Sequence, residues 1–356
     1  MPMPSIRDLP PLLVRADASE TIGAGHVIRC LALVSAWQSR GGTAVFVSSC
    51  GSRTLRDRII QSGTKFVSVA PAASTSVSVG SMASILREKT SFVVLDGYHF
   101  GPEDHDVIRA AGHGLLVIDD TAHLRRYNTE MILNQNLGAT ELNYVCGPET
   151  ISMLGPAYAL LRPEFSAARK RVRTVRECAH SVVVTMGGAD SNNITLKVIE
   201  ALGQLRIDSL NIRIVAGPEN RHVNELREAV ASLPFTAELL TDVLDMAEVM
   251  LWAEIAVTAA GSTCWELACL GVPAVSVATA ENQVSAATAL SRAGVTHYAG
   301  WHEDLRANDL AASIETLLFS AYRRLKMRQH ARELVDGGGT ARVVSALLDY
   351  ACARAA

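Results

Sequence analysis

The chain has 356 residues, of which 49% are hydrophobic and 19% charged, and its formal net charge is −3. This length predicts about two domains, each with its own core, and the composition excludes an intrinsically disordered chain. The slightly negative charge and the aromatic content of 5% argue against nucleic acid as the main partner.

The apolar stretches of the sequence are too short to span a bilayer, and residues 1–10 lack the basic start and apolar core of a secretory signal. We therefore expect a cytoplasmic protein without stable membrane insertion. The seven cysteines include no Cys-x-x-Cys pair, which is typical of reduced thiols and not of a disulfide framework or a zinc site.

Short apolar segments alternate with amphipathic segments along the first half of the chain, which predicts a parallel α/β sheet. The predicted strands are residues 12–16, 44–48, 65–69, 92–96, 115–119 and 131–134, and the first helix is expected over residues 27–37. We predict that they form a doubly wound domain over residues 1–168.

A histidine lies where the first predicted strand leads into the first helix. Gly23 and Gly25 permit a tight turn there, so His26 falls at the helix N-terminus. The positive end of the helix dipole disfavours an imidazolium, so we expect a neutral ring that can accept a proton. His26 is therefore a candidate general base, and the alternative is a histidine that only caps the helix.

Two groups of acidic residues, one of them with histidines, are candidate metal ligands. Residues 99–113 hold three histidines and two aspartates without a metal-binding spacing on one helix face, and we expect them to be solvated. Asp119 and Asp120 follow a predicted strand, and we expect them to line a cleft or cap a turn. The sequence therefore predicts no metal site.

A second alternating pattern follows a basic segment. Residues 164–178 are rich in arginine with little apolar periodicity, so we expect a solvated linker there. The strands predicted after it are residues 181–186, 211–216, 237–240, 255–258 and 274–277, which give a second doubly wound domain over residues 178–330. Residues 331–356 are expected to be a helical tail, which glycines 337–339 allow to turn and pack elsewhere.

Two glycine-containing loops of the second domain are candidate nucleotide-binding loops. Gly187 and Gly188 follow the first strand and let backbone amides approach a phosphate, although a plain turn with Asp190 or Ser191 as helix cap is the alternative. The second loop, residues 261–263, ends a strand and opens a helix, so its amides and hydroxyls can hold a diphosphate. Glu266 follows one turn later and can reach a ribose diol.

The order of strand, Gly261-Ser262-Thr263, helix with Glu266, Leu-Gly-x-Pro, strand and Asn282-Gln283 resembles the nucleotide-sugar half of GT-B glycosyltransferases. The similarity is to relatives of the peptidoglycan N-acetylglucosaminyl transferase. Residues 15–31 resemble the N-terminal signature of the UDP-2,4-diacetamido-2,4,6-trideoxy-β-L-altropyranose hydrolase family of the pseudaminic acid pathway. Further segments that resemble this family are residues 96–98, 117–120, 134–137 and 154–165.

The resemblance implies a GT-B-like α/β fold, with two Rossmann-like domains and a cleft between them that binds a UDP-sugar. It implies hydrolysis of the anomeric C–O bond with inversion, with His26 as base and without metal or cofactor. We expect Asp17 to orient His26 or a sugar hydroxyl, Tyr98 to lie near the sugar, and Asn282 to meet the sugar or the water. The expected catalytic residues are His26, Asp17, Tyr98 and Asn282. The expected substrate-binding residues are Arg15, Gly23, Gly25, Arg29, Gly187, Gly188, Asp190, Gly261, Ser262, Thr263, Glu266 and Gln283.

The chain departs from the family pattern at two positions. Ala157 stands where an arginine is common and Ser191 where a proline is common, which leaves the identity of the sugar open. Spore coat polysaccharide glycosyltransferases share the His26 loop, so transfer of an aminosugar to a glycan, lipid or small molecule is the alternative activity. A catalytically silent sugar-nucleotide-binding protein is disfavoured, because the candidate base and the nucleotide loop are both intact.

Overall fold

A computed structural model describes residues 9–19, 23–69, 92–171, 173–241 and 243–355 of the chain. The chain divides into two compact units, residues 1–163 with 338–356 and residues 164–337. The first boundary lies a few residues before the predicted one, and the last helix belongs to the first unit instead of forming a separate tail. The first eight residues, which bear on the predicted absence of a secretory signal, lie outside the described residues.

The first unit contains a seven-stranded parallel sheet with the strand order β3-β2-β1-β4-β5-β6-β7. Its strands are β1 (Leu12–Ala16), β2 (Ala44–Ser48), β3 (Lys65–Ser68), β4 (Phe92–Asp96), β5 (Gly114–Ile118), β6 (Met131–Asn134) and β7 (Ile151–Leu154). Its helices up to residue 163 are α1 (Gly25–Ser39), α2 (Arg53–Gln61) and α3 (Pro102–Ala110), with short 3₁₀ turns at Ala139–Glu141 and Pro156–Tyr158.

Alternate residues of these strands pack on opposite faces of the sheet. On β1, β2, β4 and β5 the even-numbered residues, such as Val14 and Val94, join a core with α1, whereas the odd-numbered residues, such as Leu13 and Leu95, join a second core with α3. On β6 this numbering is reversed, since Met131 and Leu133 join the first core and Ile132 joins the second. The central strands are buried throughout, which explains why their sequences are mostly continuous apolar runs.

The second unit contains a six-stranded parallel sheet with the strand order β10-β9-β8-β11-β12-β13. Its strands are β8 (Ser181–Thr185), β9 (Asn211–Val215), β10 (Thr236–Leu240), β11 (Ile255–Ala259), β12 (Ala274–Ala278) and β13 (Thr296–Trp301). Helix α4 (Pro163–Ala168) begins at the boundary between the units. The following helices are α5 (Ile194–Gly203), α6 (Val223–Ala231), α7 (Met246–Trp252), α8 (Thr263–Leu270), α9 (Glu281–Arg292), α10 (Ala307–Leu318) and α11 (Ala321–Leu334).

The basic segment predicted to be a solvated linker is instead tied to the second unit. Arg169 donates to the carbonyl oxygens of Cys269 and Val335 at 2.8 and 2.9 Å, and Arg173 donates to that of Ala253 at 2.7 Å. These carbonyls lie at or just beyond the ends of helices, where backbone acceptors lack a partner within the helix and the dipole favours a cation.

The last helix, α12 (Gly339–Ala355), packs in the core of the first unit through Val343, Val344 and Leu347. A Cβ on Gly339 would lie 2.4 Å from the carbonyl oxygen of Ala159, so only glycine permits this approach. The Thr340 hydroxyl bridges the backbone N–H and carbonyl of Leu161, both at 2.8 Å. The glycine run is therefore where the chain returns to its first unit.

Candidate functional site

His26 is the second residue of α1, and its ring meets a buried carboxylate on β4. Its Nδ1 lies 2.6 Å from Oδ1 of Asp96, whose side chain is fully buried, while 11% of the His26 side chain is exposed. The left-handed φ of Gly23 makes the preceding turn, and the helix cap is Ala24, so His26 is not the capping residue. The turn and the helix start follow the sequence prediction.

The charge on Asp96 fixes the tautomer of His26. Burial alone would raise the pKa of Asp96, but the charges of Arg29 and His26 and their hydrogen bonds outweigh burial and hold it well below its usual range. An ionised carboxylate only accepts hydrogen bonds, so Nδ1 carries the hydrogen and a neutral ring keeps its lone pair on Nε2. This arrangement is that of a general base with an orienting carboxylate.

Arg29 lies one turn further along α1 and is buried between two carboxylates. Its Nε and Nη2 each donate to Asp96 at 2.6 Å, and its Nη1 donates to Asp120 at 2.8 and 3.1 Å. Burial alone would lower the pKa of Arg29, but Asp120 and Asp96 raise it well above its usual value. Arg29 thus forms internal ion pairs with both carboxylates, and its contact with substrate stays a prediction.

Tyr98 follows β4 and lies beside His26. The two rings pack edge to face with centroids 5.5 Å apart, and the Tyr98 hydroxyl donates to Asp120 at 3.3 Å. The Tyr98 ring also packs against the His123 ring, with centroids 5.8 Å apart, and Nδ1 of His123 lies 3.0 Å from the Asp119 carboxylate. Tyr98 is an exposed residue, so its ring can meet a ligand beside His26.

Asp17 and Arg15 lie on the opposite side of the sheet from His26. Asp17 binds Arg15 and accepts from the backbone N–H of Ser49 at 2.6 Å, and Nε2 of His99 lies 3.2 Å from its carboxylate. Arg15 is fully buried, with its guanidinium 5.5 Å from the centre of the Phe100 ring. The carboxylate that contacts His26 is therefore Asp96 and not Asp17. Arg15 is an internal partner of Asp17, and its contact with substrate stays a prediction.

The Gly187-Gly188 loop of the second unit follows β8, and a second glycine loop packs closely against it. A Cβ on Gly217 would lie 2.4 Å from the carbonyl oxygen of Gly188, so the two loops touch backbone to backbone. The two carboxylate oxygens of Asp190 accept hydrogen bonds from the backbone N–H groups of Ile194 and Thr195, at 2.8 and 2.9 Å. Asp190 thus caps α5, which is the structural alternative to the predicted substrate contact.

The loop at residues 261–263 lies between β11 and α8, and the first turn of α9 packs beside it. Gln283 accepts from the backbone N–H of Thr279 at 2.9 Å, and its amide nitrogen lies 3.6 Å from where a Cβ of Gly261 would be. Ser262 caps α8, Thr263 begins it, and the half-buried Glu266 lies in its first turn. Asn282 is exposed at the start of α9. These residues lie together at the carboxyl ends of β11 and β12, where α/β sheets bind ligands.

Sequence reasoning missed Asp96, Asp120 and Asn136 as members of the His26 cluster. Asn136 donates to Asp120 at 3.1 Å, which adds a third donor to that carboxylate beside Arg29 and Tyr98. Gly217 was also missed, and only its Gly-Pro dipeptide after a strand could have indicated a tight loop.

Within residues 9–19, 23–69, 92–171, 173–241 and 243–355, no group of three or more histidine, cysteine or acidic side chains could hold a metal ion. In the same residues, no helix is long and apolar enough to cross a membrane. The seven cysteines, all of which lie in the described part of the chain, are not joined in disulfides.

Comparison with known proteins gives matches of different extent. Residues 181–343 match the glycosyltransferase family 28 C-terminal domain. The chain is 30% identical over 196 residues to the spore coat polysaccharide biosynthesis protein SpsG of Bacillus subtilis, which covers 55% of this chain and 57% of SpsG. It is 24% identical over 287 residues to the UDP-2,4-diacetamido-2,4,6-trideoxy-β-L-altropyranose hydrolase of Campylobacter jejuni, which covers 80% of this chain and 97% of that enzyme.

The matched lengths differ between these relatives. The chain spans 57% of SpsG and 54% of the uncharacterized protein MJ1062 of Methanocaldococcus jannaschii, so these two proteins are considerably longer than the matched region. Among solved structures, MurG of Acinetobacter baumannii superposes with a TM-score of 0.68 at 17% identity, over 96% of this chain and 99% of MurG. The protein therefore has the GT-B α/β fold, and residues 181–343 of its second half match the glycosyltransferase family 28 C-terminal domain.

Proposed function

We propose that this protein hydrolyses a UDP-linked diacetamido-trideoxy sugar at the anomeric C–O bond, giving UDP and a free sugar for synthesis of a pseudaminic-type nonulosonic acid. The observation that carries this proposal is the His26–Asp96 pair, because it leaves Nε2 of a partly exposed imidazole as a proton acceptor. The relative from Campylobacter jejuni, named as a hydrolase of such a compound and matched over 97% of its length, supports the choice of substrate.

The proposed reaction is a single displacement by water. The bond between the anomeric carbon and the diphosphate oxygen breaks, and its electron pair leaves with UDP. Water attacks the opposite face of the sugar, and its proton passes to Nε2 of His26, while Asp96 stabilises the resulting imidazolium. The product sugar then has the inverted anomeric configuration.

The second unit is proposed to bind the nucleotide. The amides of residues 261–263 at the start of α8, together with the Gly187-Gly188 loop, would hold the diphosphate, and Glu266 would bind the ribose. Gln283, Asn282 and Tyr98 are proposed to contact the sugar. Gly23 and Gly25 would act by placing His26 at the start of α1.

This proposal can be tested with a panel of UDP-sugars in ¹⁸O-labelled water, without any acceptor. We expect release of UDP and a reducing sugar, with the label in the sugar and the inverted anomer formed first. Label in UDP would show attack at phosphorus and would contradict the mechanism. His26→Gln, which keeps a polar side chain without a base, is the matched control and should release almost no sugar.

Glycosyl transfer is the second candidate, supported by the family 28 match over residues 181–343 and by the 30% identity to SpsG. The same Nε2 of His26 would then take the proton of an acceptor hydroxyl instead of water. If no UDP forms with water alone and UDP forms once a glycan or lipid acceptor is added, transfer is the correct activity.

We also propose that the reaction needs no metal, since backbone amides and the start of α8 can carry the diphosphate charge. Turnover should therefore continue in excess EDTA. Activity that is lost in EDTA and returns with Mg²⁺ or Mn²⁺ would overturn this part of the proposal.

A further inference from the structure

The proposed base, His26, lies beside a cluster of two carboxylates and one guanidinium. Asp96 and Asp120 bind different sides of the Arg29 guanidinium, and the three side chains are 0%, 13% and 7% exposed. The described partners of Asp120, namely Arg29, Tyr98 and Asn136, each donate a hydrogen bond to its carboxylate. One cation thus faces two anions, so the cluster carries a net charge of about −1 while His26 is neutral.

This net charge matters because Arg29 by itself opposes protonation of His26. Its Nη2 lies 3.2 Å from Nδ1 of the His26 ring, close enough for a cation to disfavour an imidazolium. If Arg29 were paired with Asp96 alone, the two charges would cancel beside the ring. Asp120 offsets the guanidinium from its other side, and the negative charge of Asp96 remains available to a protonated His26.

The other groups around His26 leave this balance unchanged. Cys30 donates its thiol to Asp96 at 3.4 Å, and burial raises its pKa well above the usual value, so the thiol stays neutral. The Tyr98 ring packs edge to face with the His26 ring, and His123, which pairs with Asp119, packs against Tyr98. Asp120 is therefore the carboxylate that can tune the pair through Arg29.

We propose that Asp120 is a positioning residue that raises the proton affinity of His26 through Arg29, without contact with the ring or with substrate. The proposal rests on the proposed role of His26 as the base. When His26 takes the proton of the attacking water, the cluster passes from a net charge of about −1 to neutral. Without the charge of Asp120 it would pass from neutral to a net positive charge in a largely buried site, which is less favourable.

The expected effect can be measured without any substrate. Removal of one unit charge at about 6–10 Å, in a site with an effective dielectric constant of about 20–40, shifts a proton equilibrium by about one pH unit. We expect the ¹⁵N resonances of the His26 ring, identified by their loss in His26→Gln, to titrate about one pH unit lower in Asp120→Asn than in the wild type. Asp120→Ser supplies a second neutral variant should the amide disturb folding.

Two further variants separate charge from shape. Asp120→Glu keeps the charge and should return the titration to near the wild-type pH. Asp106→Asn is the matched control, because Asp106 also pairs with an arginine of the first unit, Arg126 at 2.5 Å, but lies on α3, which packs on the other core of the sheet from α1. An unshifted titration in Asp120→Asn and Asp120→Ser, or an equal shift in Asp106→Asn, would overturn the inference.

The pH–rate profile gives the catalytic readout. In Asp120→Asn the acid limb of kcat/KM should move to lower pH by about the same amount, while the plateau falls because the base is weaker. A purely structural role would lower the plateau without moving the limb, which would contradict the inference. If the wild type releases no sugar, the proposed hydrolysis fails, whereas the ring titration still decides whether Asp120 tunes His26.

Discussion

Replacement of Asp96 by asparagine tests the core of the site, because it keeps the side-chain size and removes the charge. Oδ1 of Asp96 accepts hydrogen bonds from His26 and from Nη2 of Arg29. Oδ2 of Asp96 accepts a hydrogen bond from Nε of Arg29. An asparagine amide must place its NH₂ on one of these two sides, so in either orientation a donor of Arg29 faces a donor of the amide. With the NH₂ towards His26, the ring adopts the wrong tautomer, and in the other orientation the imidazolium loses its anion.

The expected loss of activity follows from this geometry. Loss of a positioned general base costs about 10²–10⁴-fold in kcat, and Asp96→Asn should fall in this range. His26→Gln is the matched comparison, because it removes the base and leaves the Arg29–Asp96 pair in place. The two variants should lose similar amounts of kcat, with little change in the affinity for UDP. Near wild-type turnover in Asp96→Asn would refute the proposal that Asp96 orients His26 and stabilises its imidazolium.

Stability separates the same two variants. Asp96→Asn leaves buried Arg29 with Asp120 as its one remaining anion, so we expect a loss of about 2–4 kcal/mol in the free energy of unfolding. His26→Gln should lose less, about 1 kcal/mol, because the carboxylate keeps both bonds to Arg29. Urea unfolding followed by circular dichroism at pH 7 measures the difference.

The pH dependence of that loss checks its electrostatic origin. The folded protein holds the pKa of Asp96 well below the value of about 4 expected in the unfolded chain. The resulting stabilisation is complete above pH 4 and is lost as the pH falls towards the folded value. The difference between wild type and Asp96→Asn should therefore shrink from pH 7 towards pH 2. A difference that is constant over this range would show that the loss comes from packing and not from charge.

Three further variants test other parts of the structure. Gly217→Ala would place a Cβ 2.4 Å from the Gly188 carbonyl oxygen and should weaken UDP binding about tenfold in calorimetry, whereas Gly203→Ala, with its nearest neighbour at 3.6 Å, should not. Glu266→Ala should weaken UDP binding by about 1.5–3 kcal/mol, and an unchanged Kd would show that Glu266 does not bind the nucleotide. Burial lowers the pKa of His105 to about 4, so the folded protein keeps this ring neutral at a pH where the unfolded chain protonates it. The free energy of unfolding is therefore unaffected by His105 above pH 6.5 and falls as the pH drops from 6.5 towards 4. His105→Leu should therefore reduce the acid-dependent decline in unfolding free energy by about 2–3 kcal/mol, and an unchanged decline would contradict that assignment.

The fold could be predicted from the sequence where strands are buried on both faces. Such strands are short continuous apolar runs, and the predicted ranges 12–16, 44–48, 92–96 and 131–134 agree with the observed strands. The two missed strands, Ile151–Leu154 and Thr296–Trp301, are at the edges of their sheets and are only partly buried. Their sequences therefore lack a continuous apolar run, and pairing with the neighbouring strand defines them.

The site could be predicted as far as local sequence determines it. A glycine turn before a helix places His26, and a strand followed by Gly-Ser-Thr places the start of α8, because both features lie within a few residues of one another. The partner of His26 lies 70 positions away on β4, and that contact depends on which strand ends adjoin and which face they present. The prediction named Asp17 together with Tyr98 because both lie at the ends of neighbouring strands.

The parity of residue numbers along each strand explains why Asp96, and not Asp17, contacts His26. Along β1, β4 and β5 the even-numbered residues face α1, which carries His26 and Arg29, and the odd-numbered residues face the core shared with α3. Asp96 and Asp120 continue the even series and bind residues of α1, whereas Asp17 and Asp119 continue the odd series and bind Ser49, His99, Tyr127 and His123. Four aspartates at one sheet edge thus separate into two pairs by parity alone. The same reasoning requires the charge that tunes His26 to come from the even pair, so neutralising Asp119 should move the His26 titration far less than neutralising Asp120.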